Sequence, residues 1–133
     1  MVSSLIYIDI EPFFENTLKR VSKKPKGCFF DTGLLCYLNM IQSPTQLAQH
    51  PKNGSIFETY IINQLHSYTK AKMDNIHMYH WRTSAQQEVD LILEYSGILY
   101  PIEIKLKSSV TRKDAEGIEA FLQVHKQRSA PMV

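Results

Sequence analysis

The sequence is short of the features that announce a function by themselves. It has two cysteines, Cys28 and Cys36, too few for a disulfide framework and not spaced as a C-x-x-C pair. Both sit among apolar neighbours and read as small core residues, which fits a reducing compartment and makes the cytoplasm the expected location. No apolar run is long enough to span a bilayer, so no membrane partner is expected, and the residues after Met1 do not lead us to expect a signal peptide. No GxxxxGK[ST] stretch occurs, so no P-loop ATP site is expected in this chain. The five histidines form no metal pattern. His77 and His80 are three apart on an expected strand and point to opposite faces, while His50, His66 and His125 are isolated. Charge is nearly balanced, with a formal net value of +2, so bulk electrostatics do not declare a nucleic-acid binder.

What is there reads as one globular domain. The chain has 133 residues, 44% hydrophobic and 21% charged, enough to bury a real core. Basic residues gather in two places, Lys19, Arg20, Lys23, Lys24 and Lys26, then Lys105, Lys107, Arg112 and Lys113. Such clusters are either solvated loops or a surface that faces phosphates.

Strands are expected at Ser4–Ile10 and Cys28–Phe30, with a short helix or extended arm from Phe13 to Val21. Asp31 or Thr32 is placed to cap a helix over Leu34 to Met40. Gln42 to Gly54 reads as loop with one helical turn at Gln46 to Gln49. A long helix opens at Ser55, with Phe57, Ile61, Leu65 and Tyr68 on its apolar face. Strands follow at Ile76–Arg82, Val89–Tyr95 and Ile98–Leu106, with a polar loop at Thr83 to Gln87. A last helix starts in a capping-box pattern at Thr111–Asp114 and presents Ile118, Phe121, Leu122 and His125. Ala130 to Val133 reads as the start of a further strand. This order predicts an α/β fold.

The most informative stretch is VDLILEYSGILYPIEIKLK, Val89 to Lys107. Ser96-Gly97 makes a hairpin turn, since glycine supplies the positive φ such turns need. The register that follows sets Tyr95 opposite Ile98, Leu91 opposite Ile102, Asp90 opposite Glu103 and Glu88 opposite Lys105. Val89, Leu91, Leu93, Ile102 and Ile104 then form one apolar face, and Glu88, Asp90, Glu103 and Lys105 the other. Two opposed carboxylates repel. A divalent cation bound by hard oxygen ligands would offset that repulsion, as would Lys105. The plain alternative is an amphipathic hairpin with its polar face in water and a surface Glu88–Lys105 ion pair. Glu58, on the long helix, is a third available carboxylate, although Ser55-Ile56-Phe57-Glu58 is also a simple S-x-x-E capping box.

Glu58, Asp90 and Glu103-Ile104-Lys105 resemble the PD-(D/E)XK nuclease superfamily, with twelve residues between Asp90 and Glu103 and Val89 in place of the proline that names the motif. A wider set of motifs agrees in order: Glu11-Pro12-Phe13-Phe14-Glu15-Asn16, Lys19-Arg20, Lys24-Pro25-Lys26, Phe30-x-Thr32-Gly33-Leu34, Gly54-Ser55-Ile56-Phe57-Glu58, Trp81-Arg82-Thr83, Glu88-Val89-Asp90 and Pro101-Ile102-Glu103-Ile104-Lys105. Together they are similar to the C-terminal domain of unknown function of prokaryotic AAA-type ATPases, in which P-loop and winged-helix domains precede a nuclease-like part.

The resemblance implies a restriction-endonuclease-like core, a central mixed sheet flanked by helices. It implies that residues 1–27 are the tail of a winged-helix-like region or an N-terminal arm, and that residues 28–133 are a nuclease-like domain whose last strand is incomplete. It implies magnesium or manganese held by Asp90, Glu103, Glu58 and the Ile104 carbonyl, with Lys105 orienting the attacking water and stabilising phosphate charge. Arg82, Trp81 and Lys107 are the expected substrate-binding residues, although a core Trp81 and a surface Arg82 would read equally well. Glu88 and Gln86-Gln87 are further candidates. DNA and the attached ATPase and winged-helix domains are the implied partners. Metal-dependent DNA phosphodiester hydrolysis is then the leading expectation. Its alternatives are a non-cleaving DNA- or protein-binding module that regulates the ATPase, and an interaction domain with no nucleic-acid role.

Overall fold

The computed structural model describes residues 6–15, 24–72 and 75–130. Ser4, Leu5, most of the expected arm, Lys19, Arg20, Lys23 and Pro131 to Val133 lie outside the described residues. The elements run β1 (Tyr7–Pro12), β2 (Lys26–Phe29), α1 (Thr32–Leu38), α2 (Pro44–Gln49), α3 (Asn53–Lys72), β3 (Ile76–Arg82), β4 (Glu88–Tyr95), β5 (Ile98–Ile102), a 3-10 turn (Arg112–Ala115) and α4 (Glu116–His125). Five strands form one mixed sheet in the order β2-β1-β3-β4-β5, and only the β1–β3 pairing is parallel. β1 pairs with both β2 and β3, and Phe13 just beyond it is buried in the core.

Each sheet face has its own apolar cluster and its own helix. Ile8, Ile10, Cys28 and Leu91 pack with Ile62 of α3, joined at the edge by Leu65, Ile102 and Ile104. Phe13, Tyr79, Trp81, Val89, Ile92 and Leu99 pack with Phe121 of α4. Helices on both faces leave the strands apolar on both sides, and β4 accordingly buries Val89, Leu91 and Ile92.

The β4–β5 hairpin has the register its turn demands. Ser96 (φ 51°) and Gly97 (φ 80°) are both left-handed, and Tyr95 pairs with Ile98, Leu93 with Tyr100 and Leu91 with Ile102. One expectation fails. Val89 does not share a face with Leu91, because Tyr79 pairs with Ile92 but Trp81 with Val89, so Asp90 and Leu91 together oppose the single residue His80. This bulge turns Val89 to the α4 side.

The helices begin where short polar side chains satisfy their first N–H groups. Asp31 Oδ1 accepts from Gly33 N (2.7 Å) and Leu34 N (3.1 Å), and Ser43 Oγ accepts from Gln46 N (3.2 Å). Asp114 Oδ2 accepts from both the N–H and the hydroxyl of Thr111, each at 2.8 Å. α3, however, starts at Asn53, so Ser55 is not its cap; the Ser55 hydroxyl donates to Lys52 O instead. The expected α3 face is also rotated. Ile56, Ile62, Asn63 and Thr69 are buried and Tyr68 is exposed, because Asn63 donates to the carbonyls of Phe29 (2.7 Å) and Phe30 (2.9 Å) and turns that side of the helix to the sheet. Phe30, expected in a buried strand, is exposed. Beyond α4, Ser129 bridges Leu99 in parallel, with Ala130 N donating to Leu99 O (2.9 Å), where a further strand was expected to begin.

Gly117, in the first turn of α4, is where helix and sheet come closest. A Cβ there would lie 1.9 Å from the Glu88 carbonyl oxygen. Alanine gains up to about 1 kcal/mol of helix propensity, but overpacking against backbone costs about 1–3 kcal/mol, so the clash wins. We expect Gly117→Ala to lower the urea midpoint. An equal or higher midpoint would show that α4 is free to shift.

Candidate metal and phosphate site

The splayed end of the β4–β5 hairpin carries the site. Ladder pairing stops at Leu91 and Ile102. Two residues past Ile102, the Ile104 N–H donates to the Asp90 side chain, Oδ2 at 2.9 Å, rather than to a strand carbonyl. The carboxylate thus takes the place of a ladder bond and ties the Ile104 peptide beside it. Asp90 is only 6% exposed, held between the bulge and this contact.

Glu103 follows Ile102 out of the ladder beside Asp90. Lys105 Nζ lies 2.5 Å from Glu103 Oε1 and 3.9 Å from Asp90 Oδ2, so one amine serves two acids. The other Glu103 oxygen, Oε2, is buried with no hydrogen-bond partner among the described residues. It lies 3.8 Å from the position a Cβ on Gly117 would take. Burial pushes the Glu103 carboxyl above its ordinary range and the Asp90 charge adds to that, against the pull of Lys105. Burial also works against the Lys105 charge, but Glu103, Asp90 and Glu58 outweigh it and hold the ammonium above its usual value.

Glu58 reaches the same neighbourhood from α3. Freed from a capping role, its carboxylate contacts Lys26 Nζ of β2 directly. Burial works against the Lys26 charge too, and it is outweighed first by Glu58 and then by Asp90, which raise its pKa. Glu58, Asp90, Glu103 and Lys105 thus lie in one neighbourhood, with Lys26 as an additional member. Lys26 belonged to a basic cluster in the sequence, but nothing local marked it as the partner of a glutamate 32 positions away.

Beside this group opens a cleft of about 530 Å³ lined by Lys24, Lys26, Trp81, Arg82, Glu88 and Asp90, among others. Arg82 faces it, hydrogen-bonded to Gln86 and 3.7 Å from Glu88. Glu88 thus pairs with Arg82, not with Lys105 as the register alone suggested. Trp81 is buried in the core, its ring nearly perpendicular to that of Phe121 at 5.4 Å between centroids, and it also lines the cleft. Lys107 pairs with Asp114 at 2.6 Å and is not among the residues that line this cleft. That contact, and the Thr111 hydrogen bonds, hold the Asp114 carboxyl well below the usual carboxylate range.

Among the described residues no three His, Cys, Asp or Glu side chains are arranged around one point as a complete metal-ligand set. What is present is a pair, Asp90 and Glu103, plus the Ile104 peptide. Among the described residues no helix is long and apolar enough to cross a membrane.

Residues 53–133 match a family described as a domain of unknown function, DUF4143. The chain belongs to the DUF4143 family. The DUF4143 match covers Glu58, Asp90, Glu103 and Lys105 but begins after Lys26. Over 109 residues the chain is 35% identical to an uncharacterized protein of Mycobacterium bovis and, equally, to one of Mycobacterium tuberculosis. Those alignments cover 82% of this chain but 24% of each relative, so the chain spans about a quarter of the curated relatives it matches. No solved structure matches it significantly.

Lys105 offsets the repulsion between Asp90 and Glu103, and its removal has a signed pH signature. In Lys105→Met, Glu103 keeps its burial, the Asp90 charge and the Asp90 backbone contact but loses its cation, and its folded pKa rises further. A carboxyl with a raised folded pKa is protonated and unpenalised below its unfolded value, and its ionisation penalises folding as pH rises through the folded one. The variant should therefore lose stability relative to wild type from about pH 4.5 to pH 7, the gap reaching about 1–2 kcal/mol because Lys105 is partly exposed. Urea unfolding at stepped pH reads this directly. Curves that stay parallel would mean that Lys105 does not screen the pair.

Proposed function

We propose that this domain hydrolyses DNA phosphodiesters with a divalent cation, magnesium or manganese, as the nuclease-like C-terminal part of an AAA-type ATPase. The observation that carries the reading is the buried Asp90–Glu103 pair, which shares one amine while Glu103 Oε2 has no partner among the described residues. An orphaned, buried carboxylate oxygen is costly unless a cation or donor meets it. The donors are hard oxygens, and magnesium commonly takes one or two carboxylates together with substrate phosphates and waters. The residues present therefore fit such an ion, with Asp90, Glu103 and the Ile104 carbonyl as its protein ligands. When bound, it supplies positive charge against the phosphate and lowers the pKa of the attacking water.

The chain's own groups do the rest. Asp90 is held by the bulge and the Ile104 N–H, and Glu103 by Lys105, which limits the freedom of both carboxylates. Lys105, 39% exposed at its side chain, reaches the surface from this pair and is placed to orient a water and to stabilise charge developing on the phosphate. Lys24, Lys26 and Arg82 line the adjoining cleft and would draw in the nucleic-acid backbone. The link to PD-(D/E)XK nucleases and to an attached ATPase with a winged helix rests on the order of sequence motifs, and the far greater length of the two mycobacterial relatives leaves room for such domains in them.

A second reading, a non-cleaving DNA- or protein-binding module that regulates the ATPase, is favoured by one observation. Glu58 is engaged by Lys26, which leaves the cation two carboxylates rather than three.

Cleavage of DNA should require magnesium or manganese and fall by at least about a hundredfold in Asp90→Asn and in Lys105→Ala. Undiminished cleavage in both variants would trace the activity to a contaminant. Salt-dependent DNA binding without turnover in the wild type would select the second reading instead. In either case Arg82→Ala should weaken DNA binding and reduce the slope of log affinity against log salt by about one.

A further inference from the structure

Lys26 sits at the same end of the sheet as the acidic pair. It pairs with Ile10 on β1, Pro12 pairs with His80 on β3, and His80 stands opposite Asp90 and Leu91 on β4. From β2 its ammonium crosses to α3 and contacts Glu58, which has no capping duty because α3 begins at Asn53. The two side chains are 35% and 20% exposed, so the pair is partly desolvated, and removing one partner leaves the other charge uncompensated. On its other flank Lys26 lines the cleft.

Resting on the reading above, we propose that Lys26 is a positioning residue that withholds Glu58 from the cation, leaving the metal to Asp90 and Glu103. A site with two carboxylates holds magnesium weakly and is completed by the phosphate of the substrate, so metal and nucleic acid are retained together. Removing Lys26 frees a third carboxylate and also deletes a positive charge that repels the incoming ion.

Calorimetric titration of the full chain with Mn²⁺ tests this, with thermal melts reporting whether each variant folds. Lys26→Met should bind Mn²⁺ at least about fivefold more tightly than wild type, while Lys26→Arg, which keeps the charge, should stay within about twofold. The gain should vanish in Lys26→Met/Glu58→Gln. Glu58→Gln alone, which leaves the Lys26 charge unpaired, should weaken binding by no more than about threefold, far short of the loss in Asp90→Asn. Unchanged or weaker binding in folded Lys26→Met, with binding abolished in Asp90→Asn, would overturn the role of Lys26 and leave the metal site standing. Should Lys26→Met fail to fold, Glu58→Gln still decides: a loss as large as that of Asp90→Asn would make Glu58 a ligand already and sink the proposal. No Mn²⁺ binding in any variant, wild type included, would overturn both the proposal and the metal reading beneath it.

Discussion

Two carboxylates buried beside one another are the constraint around which this end of the molecule is built. Asp90 and Glu103 repel, and both have lost most of their water. The fold answers with one shared ammonium from Lys105, one peptide N–H from Ile104 and a break in strand pairing that lets both fit. None of these is an ordinary feature of a hairpin. A pair of apolar residues at the two positions would let the ladder run on beyond Leu91 and Ile102, and would need neither lysine nor splay.

The same constraint explains how the surrounding elements are used. The β4 bulge sends Val89 to the α4 side and spaces Asp90 from the regular alternation. Gly117 lets α4 approach the Glu88 carbonyl closely enough to cover Glu103. α3 brings Glu58 from the opposite layer, and β2 brings Lys26 to meet it. The near-neutral net charge conceals a sorting of cations. Lys107 and Arg112 are matched locally by Asp114 and Glu119, whereas Lys24, Lys26 and Arg82 line one cleft next to the acids. Local potential, not overall charge, is what a phosphate would meet.

Particular residues show how far the chain could be read without coordinates. The β4–β5 register was legible because Ser96-Gly97 admits few turns, and a two-residue turn sets all pairs behind it. The Asp31 cap and the Thr111–Asp114 box were legible because both are made within four residues. The Ser55–Glu58 box was not, since the helix had already begun at Asn53 and Glu58 found a distant cation instead. The α3 face was misjudged because an asparagine, Asn63, turns inward to satisfy strand carbonyls that apolar periodicity cannot register. The surroundings of Trp81 and Lys107 were likewise not legible: the first packs in the core cluster at the edge of the cleft, and the second pairs with Asp114.

The sequence by itself determined the α/β order, the hairpin pairing and the candidacy of Asp90, Glu103 and Lys105. These follow from side-chain alternation, turn chemistry and capping, all of which act over a few residues. Only the tertiary structure decided which faces were buried, where β4 bulges, and that Lys26 rather than a helix N-terminus receives Glu58. Those outcomes depend on charges and backbone groups meeting across sheet and helix layers, where burial makes each unmet partner costly and the nearest complement in space, not in sequence, prevails.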